Sequence, residues 1–329
     1  MDITWDTFDH SEILITGGTG SLGQHLIKTL LANCKPRRLI IFSRDELKQH
    51  EMRMAGLNDD CLRWFIGDVR DLPRLQRAFK GVDIVIHTAA LKQVPAIEYN
   101  PIEAVRTNIY GAVNVIEAAL DCGVQKVIGL SSDKCCAPLN LYGATKLVAE
   151  KLFVQANSYR GAQGTRFSCV RYGNVLGSRG SVLDVWRKAE KSGKVTLTDA
   201  TMTRFFLTLP QAVAFVLSSL EMMEGGEVFV PKLKSIEMEE LVRIIAPKAG
   251  REFIGIRPGE KMHESMVSVD EAAQTVELLD RFAILPTSGL WAESQWAGLP
   301  RMPQGWSYGS LGATRFTAAE MRELLTAVG

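Results

Sequence analysis

The sequence predicts an α/β chain built on a doubly wound parallel sheet, followed by a smaller C-terminal part. Three observations carry this. Short β-rich runs alternate with amphipathic helical segments through the first half. A glycine-rich turn links the first run to the first helical pattern. The regular alternation then stops after about residue 175.

The β-rich runs are EILIT, RLIIFS, LRWFIG, VDIVIH, KVIGLS and TRFSCVRYG, and amphipathic stretches such as 101–123 lie between them. Such alternation predicts βαβ units, whose right-handed crossovers place helices on both faces of the sheet. A helical run near 210–223 and a short strand, EVFVP, still suit the main sheet. The stretches 237–250 and 252–261 suit a smaller lid, and 286–314, rich in Gly, Pro, Ser and Trp, reads as an extended arm. Thr317 and Glu320 have the spacing of a capping box that opens a last helix.

The 329 residues carry 38 Lys+Arg against 37 Asp+Glu, a formal charge of +1. So balanced a charge argues against a nucleic-acid or anionic-membrane surface. At 46% hydrophobic residues the chain can bury a sizeable core. No stretch reaches the roughly 18 apolar residues of a membrane span. The acidic start MDITWDTFDH lacks a signal-like apolar region. Six scattered cysteines form no C-x-x-C pair, so reduced thiols, a cytoplasmic location and no metal site are expected.

EILIT runs into Gly17-Gly18-Thr19-Gly20-Ser21-Leu22-Gly23 and then a helix pattern. Glycines there allow a tight turn and close approach of pyrophosphate, and the helix start offers free N–H groups. A lone glycine loop also fits an ordinary turn; its place between strand and helix favours a dinucleotide. The second run ends in Ser43-Arg44, with Lys48 one turn on. Cations there suit a ribose 2′-phosphate, hence NADP. Arg44 and Lys48 also fit a solvated helix start, and Asp45 also fits a ribose ligand, which would favour NAD. Asp68 and Val69 follow the third run, where they can bracket an adenine.

The fifth run ends at Ser131-Ser132-Asp133-Lys134, and Tyr142 and Lys146 follow on one helix face. Tyrosine titrates near 10, and bringing it to about 7 takes roughly 4 kcal/mol, for which a nearby ammonium has the right sign. Alone, such a pair is as often an exposed Tyr and Lys. After a Ser-ended fifth strand and a glycine-rich first turn, the combination resembles the extended short-chain dehydrogenase/reductases, which modify nucleotide-sugars on a Rossmann sheet. HTAA at 87–90, which includes Ala89, matches their fourth-strand signature, and Asn108 matches their structural asparagine, grouped here with the cofactor-site residues. His87 reads as a strand-end packing or hydrogen-bonding residue.

Five further segments sharpen the resemblance: SRDELK, SSDK, RYGNVLGSRGSV, MTRFF and RPGEKMHE. Together they resemble the inverting UDP-N-acetylglucosamine 4,6-dehydratases that begin pseudaminic acid synthesis. The resemblance covers about residues 12–285. It implies that Tyr142 takes the proton of the sugar 4-hydroxyl with Ser132 and Lys146 assisting, that Lys134 removes the carbon-5 proton, and that Asp133 is the acid for loss of the 6-hydroxyl. NADP would hold the hydride between carbon 4 and carbon 6. Retaining relatives have Asp-Glu where this chain has Asp133-Lys134.

The resemblance also implies sugar or diphosphate contacts. Arg179, Gly180, Ser181 and Val182 suit a helix-start phosphate site, Arg204 and Arg257 suit phosphate clamps, and Glu260 suits the uridine ribose. Asn174, Thr198 and Met202 join them, and Lys92 contacts both ligands. Residues 1–175 with about 200–232 are expected to bind NADP. Residues about 176–199 with 233–329 are expected to bind the substrate and form the arm. A homo-oligomer is expected. Cys135-Cys136 departs from the small residues usual after Asp-Lys; the two thiols suit packing, or a sensitivity to oxidants. Two rivals stand. A nucleotide-sugar 4-epimerase shares Tyr142 and Lys146 but has no need of Asp133-Lys134, and a non-catalytic NADP-binding protein needs none of the four.

Overall fold

A computed structural model describes residues 3–159, 161, 164–177, 186, 193–287, 295–296 and 298–328. The six β-rich runs form β1 (Glu12–Thr16), β2 (Arg38–Ser43), β3 (Leu62–Ile66), β4 (Ile84–His87), β5 (Lys126–Leu130) and β6 (Arg166–Val170). Among them lie α1 (Ser21–Asn33), α2 (Glu46–Met54), α3 (Leu72–Phe79), α4 (Val94–Tyr99), α5 (Pro101–Ala104), α6 (Gly111–Cys122) and α7 (Leu141–Ala156). After them come β7 (Asn174–Leu176), β8 (Lys194–Leu197), β9 (Thr203–Thr208), α8 (Leu209–Met222), β10 (Val228–Pro231), β11 (Ser235–Glu237), α9 (Met238–Ile245) and β12 (Gly250–Phe253). The chain closes with β13 (Ser265–Val267), β14 (Thr275–Glu277), β15 (Arg281–Ile284), β16 (Tyr308–Gly309) and α10 (Ala318–Val328).

Nine strands make the central sheet in the order β14-β15-β10-β6-β5-β4-β1-β2-β3. It is parallel from β3 to β10, and β15 and β14 add antiparallel at the edge. The expected doubly wound sheet is thus present. Adjacent residues of a strand face opposite sides. Leu14 joins one buried layer, with residues of α3, α6 and α7. Ile13 and Ile15 join the other, with residues of α1 and α8. Each fully buried aliphatic side chain there contributes about 1.5–3 kcal/mol, which is what holds helices on both faces.

A third buried cluster combines Leu176, Leu197, Phe206, Ile236, Leu241 and Met321. It gathers pieces of β7, β8, β9, β11, α9 and α10, and small sheets β11-β9-β7 and β12-β8 border it. One sequence expectation needs correction: residues 275–284, expected in the smaller part, extend the central sheet as β14 and β15, where the apolar Phe282, Ala283 and Ile284 pack against it. The expected helical stretch 101–123 is present, with a π-helical turn, Val105–Tyr110, between α5 and α6. No helix among the described residues is long and apolar enough to cross a membrane.

The last helix is capped as its sequence predicts, Thr317 N–H donating to Glu320 Oε2 at 3.0 Å and Glu320 N–H to Thr317 Oγ1 at 3.2 Å. In the arm, Trp296 is buried, its indole N–H donating to Glu227 at 2.9 Å, and Trp306 stacks on Tyr308. These two tryptophans pack on the core; Trp291 lies outside the described residues.

Candidate active site

The strand order reverses between β1 and β4, which part to opposite sides of the sheet there. A crevice opens at such a switch point, beyond the carboxyl ends of the strands. Here it is a cleft of about 680 Å³. One end is lined by Gly17 and residues 19–23, the other by Ser132, Asp133, Lys134, Tyr142, Lys146 and Asn174. Gly17 has φ +67°, and a Cβ on it would lie 2.8 Å from Thr88 Oγ1 and 2.9 Å from the Ala89 main chain. Only glycine lets the loop pass that close to the end of β4. Gly20, at the N-cap of α1, brings no capping side chain, so the positive end of the helix faces the cleft. This cradle fits a dinucleotide's pyrophosphate.

At the adenosine end, Thr19 Oγ1 and Ser43 Oγ share a hydrogen bond of 2.7 Å. Asp45 is engaged: its carboxylate caps α2 by accepting from Lys48 N–H at 3.0 Å and pairs with Lys48 Nζ at 2.6 Å. Arg44 stays half exposed on the cleft, its guanidinium 3.5 Å from Asp68. Asp68 does not line the cleft; Arg70 grips it at 2.7 Å, while Val69 does line it. Ala89 and Lys92 border the middle. Asn108 lies beneath rather than in the lining. Its amide exchanges two hydrogen bonds with the Leu91 main chain, at 2.8 and 2.9 Å, and donates to Thr145 Oγ1 at 3.1 Å. The π-helical turn sets it there to pin the segment after β4 onto α7. His87, buried at the end of β4, bonds Thr16 Oγ1 at 2.8 Å across the strand pair.

The reactive end is built by the turn after β5 and the start of α7. Asn140 caps α7 by accepting from Gly143 N–H at 2.8 Å. A Cβ at Gly143 would sit 2.2 Å from the Lys134 carbonyl oxygen, so glycine lets the helix lie flush on the Asp133–Lys134 turn. Tyr142 and Lys146 therefore face the same cleft. Burial raises the Tyr142 pKa, against which Lys134 and a hydrogen bond from Ser132 act downwards. Burial also pushes Lys146 down to about 8, and its ammonium donates to the Leu130 carbonyl at 2.6 Å.

Lys134 Nζ donates to Asp133 Oδ1 at 3.0 Å and to Asn174 Oδ1 at 3.3 Å, with Glu264 Oε1 3.7 Å away. Burial acts to lower its pKa, but Asp133 and Glu264 outweigh this and hold it above the ordinary lysine value. Ser132 Oγ donates to Asp133 Oδ1 at 2.9 Å, while Asp133 Oδ2 is buried with no hydrogen-bond partner among the described residues. A carboxylate–ammonium pair thus stands beside a Tyr-Lys pair. That is more proton-transfer equipment than oxidoreduction alone requires.

The model of the polysaccharide biosynthesis protein family matches residues 13–286. The chain belongs to that family. Its fold is that of the extended short-chain dehydrogenase/reductases. This polysaccharide biosynthesis protein is 53% identical over 282 residues to the UDP-N-acetylglucosamine 4,6-dehydratase (inverting) of Campylobacter jejuni, covering 85% of this chain and 84% of the relative. It is 40% identical to the UDP-glucose 4-epimerase of Rickettsia conorii, covering 97% and 96%. Its structure is similar to that of Pen from Bacillus thuringiensis, with a TM-score of 0.89, 36% identity and 98% of each chain covered.

The other expected substrate residues of this family member are not gathered in one place. Asn174 lines the cleft. Thr198 donates to Glu260 at 3.1 Å, and the exposed Arg257 lies 3.8 Å from the same carboxylate. Met202 is buried in the third cluster. Arg204 is buried and its guanidinium donates to the main-chain carbonyls of Thr203, Lys261 and Met262, at 2.8–3.1 Å. Three of its five N–H donors thus hold the chain in shape. Arg179, Gly180, Ser181 and Val182 lie outside the described residues.

Sequence reasoning passed over Glu264, although the quoted segment RPGEKMHE ends on it. It also passed over Arg171, whose guanidinium is buried between Glu150 and Glu271, at 2.5 and 2.6 Å. Only the polar Arg in an otherwise apolar strand end signalled it. Cys135 and Cys136 are buried free thiols, and burial raises both pKa values, Cys136 to about 11. They pack beneath the cleft at the Asp133–Lys134 turn.

Proposed function

We propose that this chain removes water from UDP-N-acetylglucosamine across carbons 5 and 6, with inversion at carbon 5, to give a UDP-linked 4-keto-6-deoxy sugar of the L-arabino series. The observation that carries this is the Asp133–Lys134 pair, its carboxylate buried and its ammonium partly buried, facing the cleft beside Tyr142 and Lys146. Named relatives of the same activity support it. A bound NADP supplies the acceptor and later the donor of the hydride.

Tyr142 takes the proton of the 4-hydroxyl, with Ser132 and the Lys146 ammonium favouring its anion. The ketone formed at carbon 4 acidifies carbon 5. Lys134, as free amine, takes that proton, and Asp133 delivers one to the departing 6-hydroxyl, so water leaves and the pair exchanges its protonation. The 6-deoxy carbon is completed by return of the hydride to carbon 6 together with a proton to the other face of carbon 5, which inverts that centre and balances the proton that Tyr142 took from the 4-hydroxyl. The product enters surface-glycan synthesis, and the resemblance points to pseudaminic acid.

Arg44 supports NADP over NAD, because Asp45 is already occupied as the α2 cap and Arg44 is half exposed beside the cleft. A hydrogen bond to a charged group contributes about 1.5–3 kcal/mol. Arg44→Ala should therefore raise the Kd for NADP⁺ about tenfold or more in calorimetry and leave NAD⁺ nearly unaffected; an equal loss for both would refute the assignment.

The described residues of 176–199 and 233–274 are assigned to the sugar-nucleotide side, around the third cluster. Loss of UDP affinity without loss of dinucleotide affinity in Arg257→Ala would support this, and unchanged UDP affinity would refute it. Tyr99, Ile102 and Tyr110 expose apolar surface on adjoining helices, which suits a homo-oligomer. Light scattering should then exceed the 36.3 kDa of one chain, and a reading at that mass would refute it. Six free cysteines suit a reducing cytoplasm, which localisation of a tagged chain would check.

A 4-epimerase reading is favoured by one observation, the near full-length likeness to proteins of that name. Proton NMR of UDP-N-acetylglucosamine with the enzyme in heavy water separates the two. Loss of the carbon-6 methylene, a new methyl signal and deuterium at carbon 5 would establish the dehydratase. A 4-epimer without a methyl signal would establish the epimerase, and no turnover would sink both.

A further inference from the structure

Glu264 has no part in the steps above, yet it is buried against Lys134. Its Oε1 lies 3.7 Å from Lys134 Nζ and 3.6 Å from Arg204 Nε. Its Oε2 lies 3.9 Å from Lys261 Nζ and has no hydrogen-bond partner. A buried carboxylate so incompletely bonded is costly unless its charge is used. It is also rigidly placed. Glu264 N–H donates to Ser310 Oγ at 2.9 Å, and Ser310 N–H donates back to the Glu264 carbonyl at 2.7 Å. Ser310 in turn bonds Thr203 Oγ1 at 2.6 Å, next to Arg204.

We propose that Glu264 is a positioning residue for the elimination: it fixes the Lys134 ammonium between two carboxylates and sets the pH at which Lys134 becomes the free amine. The proposal rests on the dehydratase reading. The charged groups facing the pair come from several elements. Asp133 shares its turn, Tyr142 comes from α7, Arg204 from β9, and Lys261 from the segment before β13. Lys261 is tied to the turn as well, donating to the Cys136 carbonyl.

The sign follows from these neighbours. An anion beside an ammonium raises its pKa, and a cation lowers it. Without the charge of Glu264, Lys134 keeps Asp133 on one side but faces Arg204 and Lys261 uncompensated on the other. It then gives up its proton at lower pH. Burial and Asp133 raise the pKa of Glu264 itself, so the carboxylate also passes part of its own titration on to Lys134.

The test is the pH dependence of deuterium uptake at carbon 5, read by NMR with UDP-N-acetylglucosamine and NADP⁺, for the wild type, Glu264→Gln and Glu264→Asp. The rising limb of the Gln variant should move down by at least about one pH unit, with the Asp variant between it and the wild type. A Gln variant that is slower at every pH, with its limb where the wild type has it, would overturn the proposal and leave Glu264 a merely structural residue. Should the Gln variant fail to fold, the Asp variant decides alone by the same shift or its absence. A wild-type enzyme that exchanges no deuterium and forms no methyl signal would overturn the dehydratase reading, and this inference with it.

Discussion

At the scale of single residues, the arrangement separates two pairs of titratable groups, to which the proposed mechanism gives different proton transfers. Tyr142 and Lys146 stand on one helix, and Asp133 and Lys134 on one turn. Lys134→Met keeps the first pair and removes the base of the second. Cofactor reduction on mixing with substrate, followed by its ultraviolet absorbance, should persist while dehydration falls by about 10²–10⁴-fold. A variant that still makes the methyl product at the wild-type rate would remove Lys134 from the mechanism. These four residues were legible because they sit in short, locally ordered segments. Glu264 was not, because nothing in the sequence near it says that it meets Lys134. The hold that Arg204 has on the main chain was not legible for the same reason: only the fold shows three of its donors turned to main-chain carbonyls.

At the scale of elements, the glycine loop is set by one residue's backbone. Gly17 holds φ +67° with the end of β4 packed against it. An alanine there meets both a disfavoured backbone and atoms under 3 Å away. Gly17→Ala should cost about 1–3 kcal/mol of stability and abolish the rise in melting temperature that NADP⁺ gives the wild type. An undiminished rise would mean that the loop does not cradle the dinucleotide. The strands and the cap of α10 were readable from alternation and from the Thr317–Glu320 spacing, whereas the Asp45 cap of α2 was not. The π-helical turn at Val105–Tyr110 was not, because the apolar period of 101–123 continues through it. Its cause lies outside the helix, in the hydrogen bonds that Asn108 makes to Leu91 and Thr145.

At the scale of the molecule, Arg171 joins three regions. From the end of β6 it binds Glu150 of α7, Glu271, and the Met266 carbonyl of β13 at 2.8 Å. Burial acts to raise the Glu271 pKa, but the bonds from Arg171 prevail and hold it down to about 2. A carboxyl so depressed contributes stability that is complete above its unfolded value and is lost as pH falls from about 4.5 towards 2. Glu271→Gln should cost about 3–5 kcal/mol at neutral pH by leaving Arg171 short of a charge partner. It should also flatten the acid limb of stability in that window. Urea titrations across pH would show both, and a variant with wild-type stability at pH 7 would refute the link.

The sequence by itself determined the parallel sheet, the dinucleotide loop, the Tyr142–Lys146 pair and the Asp133–Lys134 turn. Each is written in residues near one another in the chain, where periodicity and turn chemistry act. The tertiary structure alone decided that β14 and β15 close the edge of the main sheet, that Arg204 shapes the backbone, and that Glu264 faces Lys134. Those outcomes depend on which distant segments share a buried volume. There a charge must find a partner, and an apolar edge must find cover, wherever the folded chain provides one.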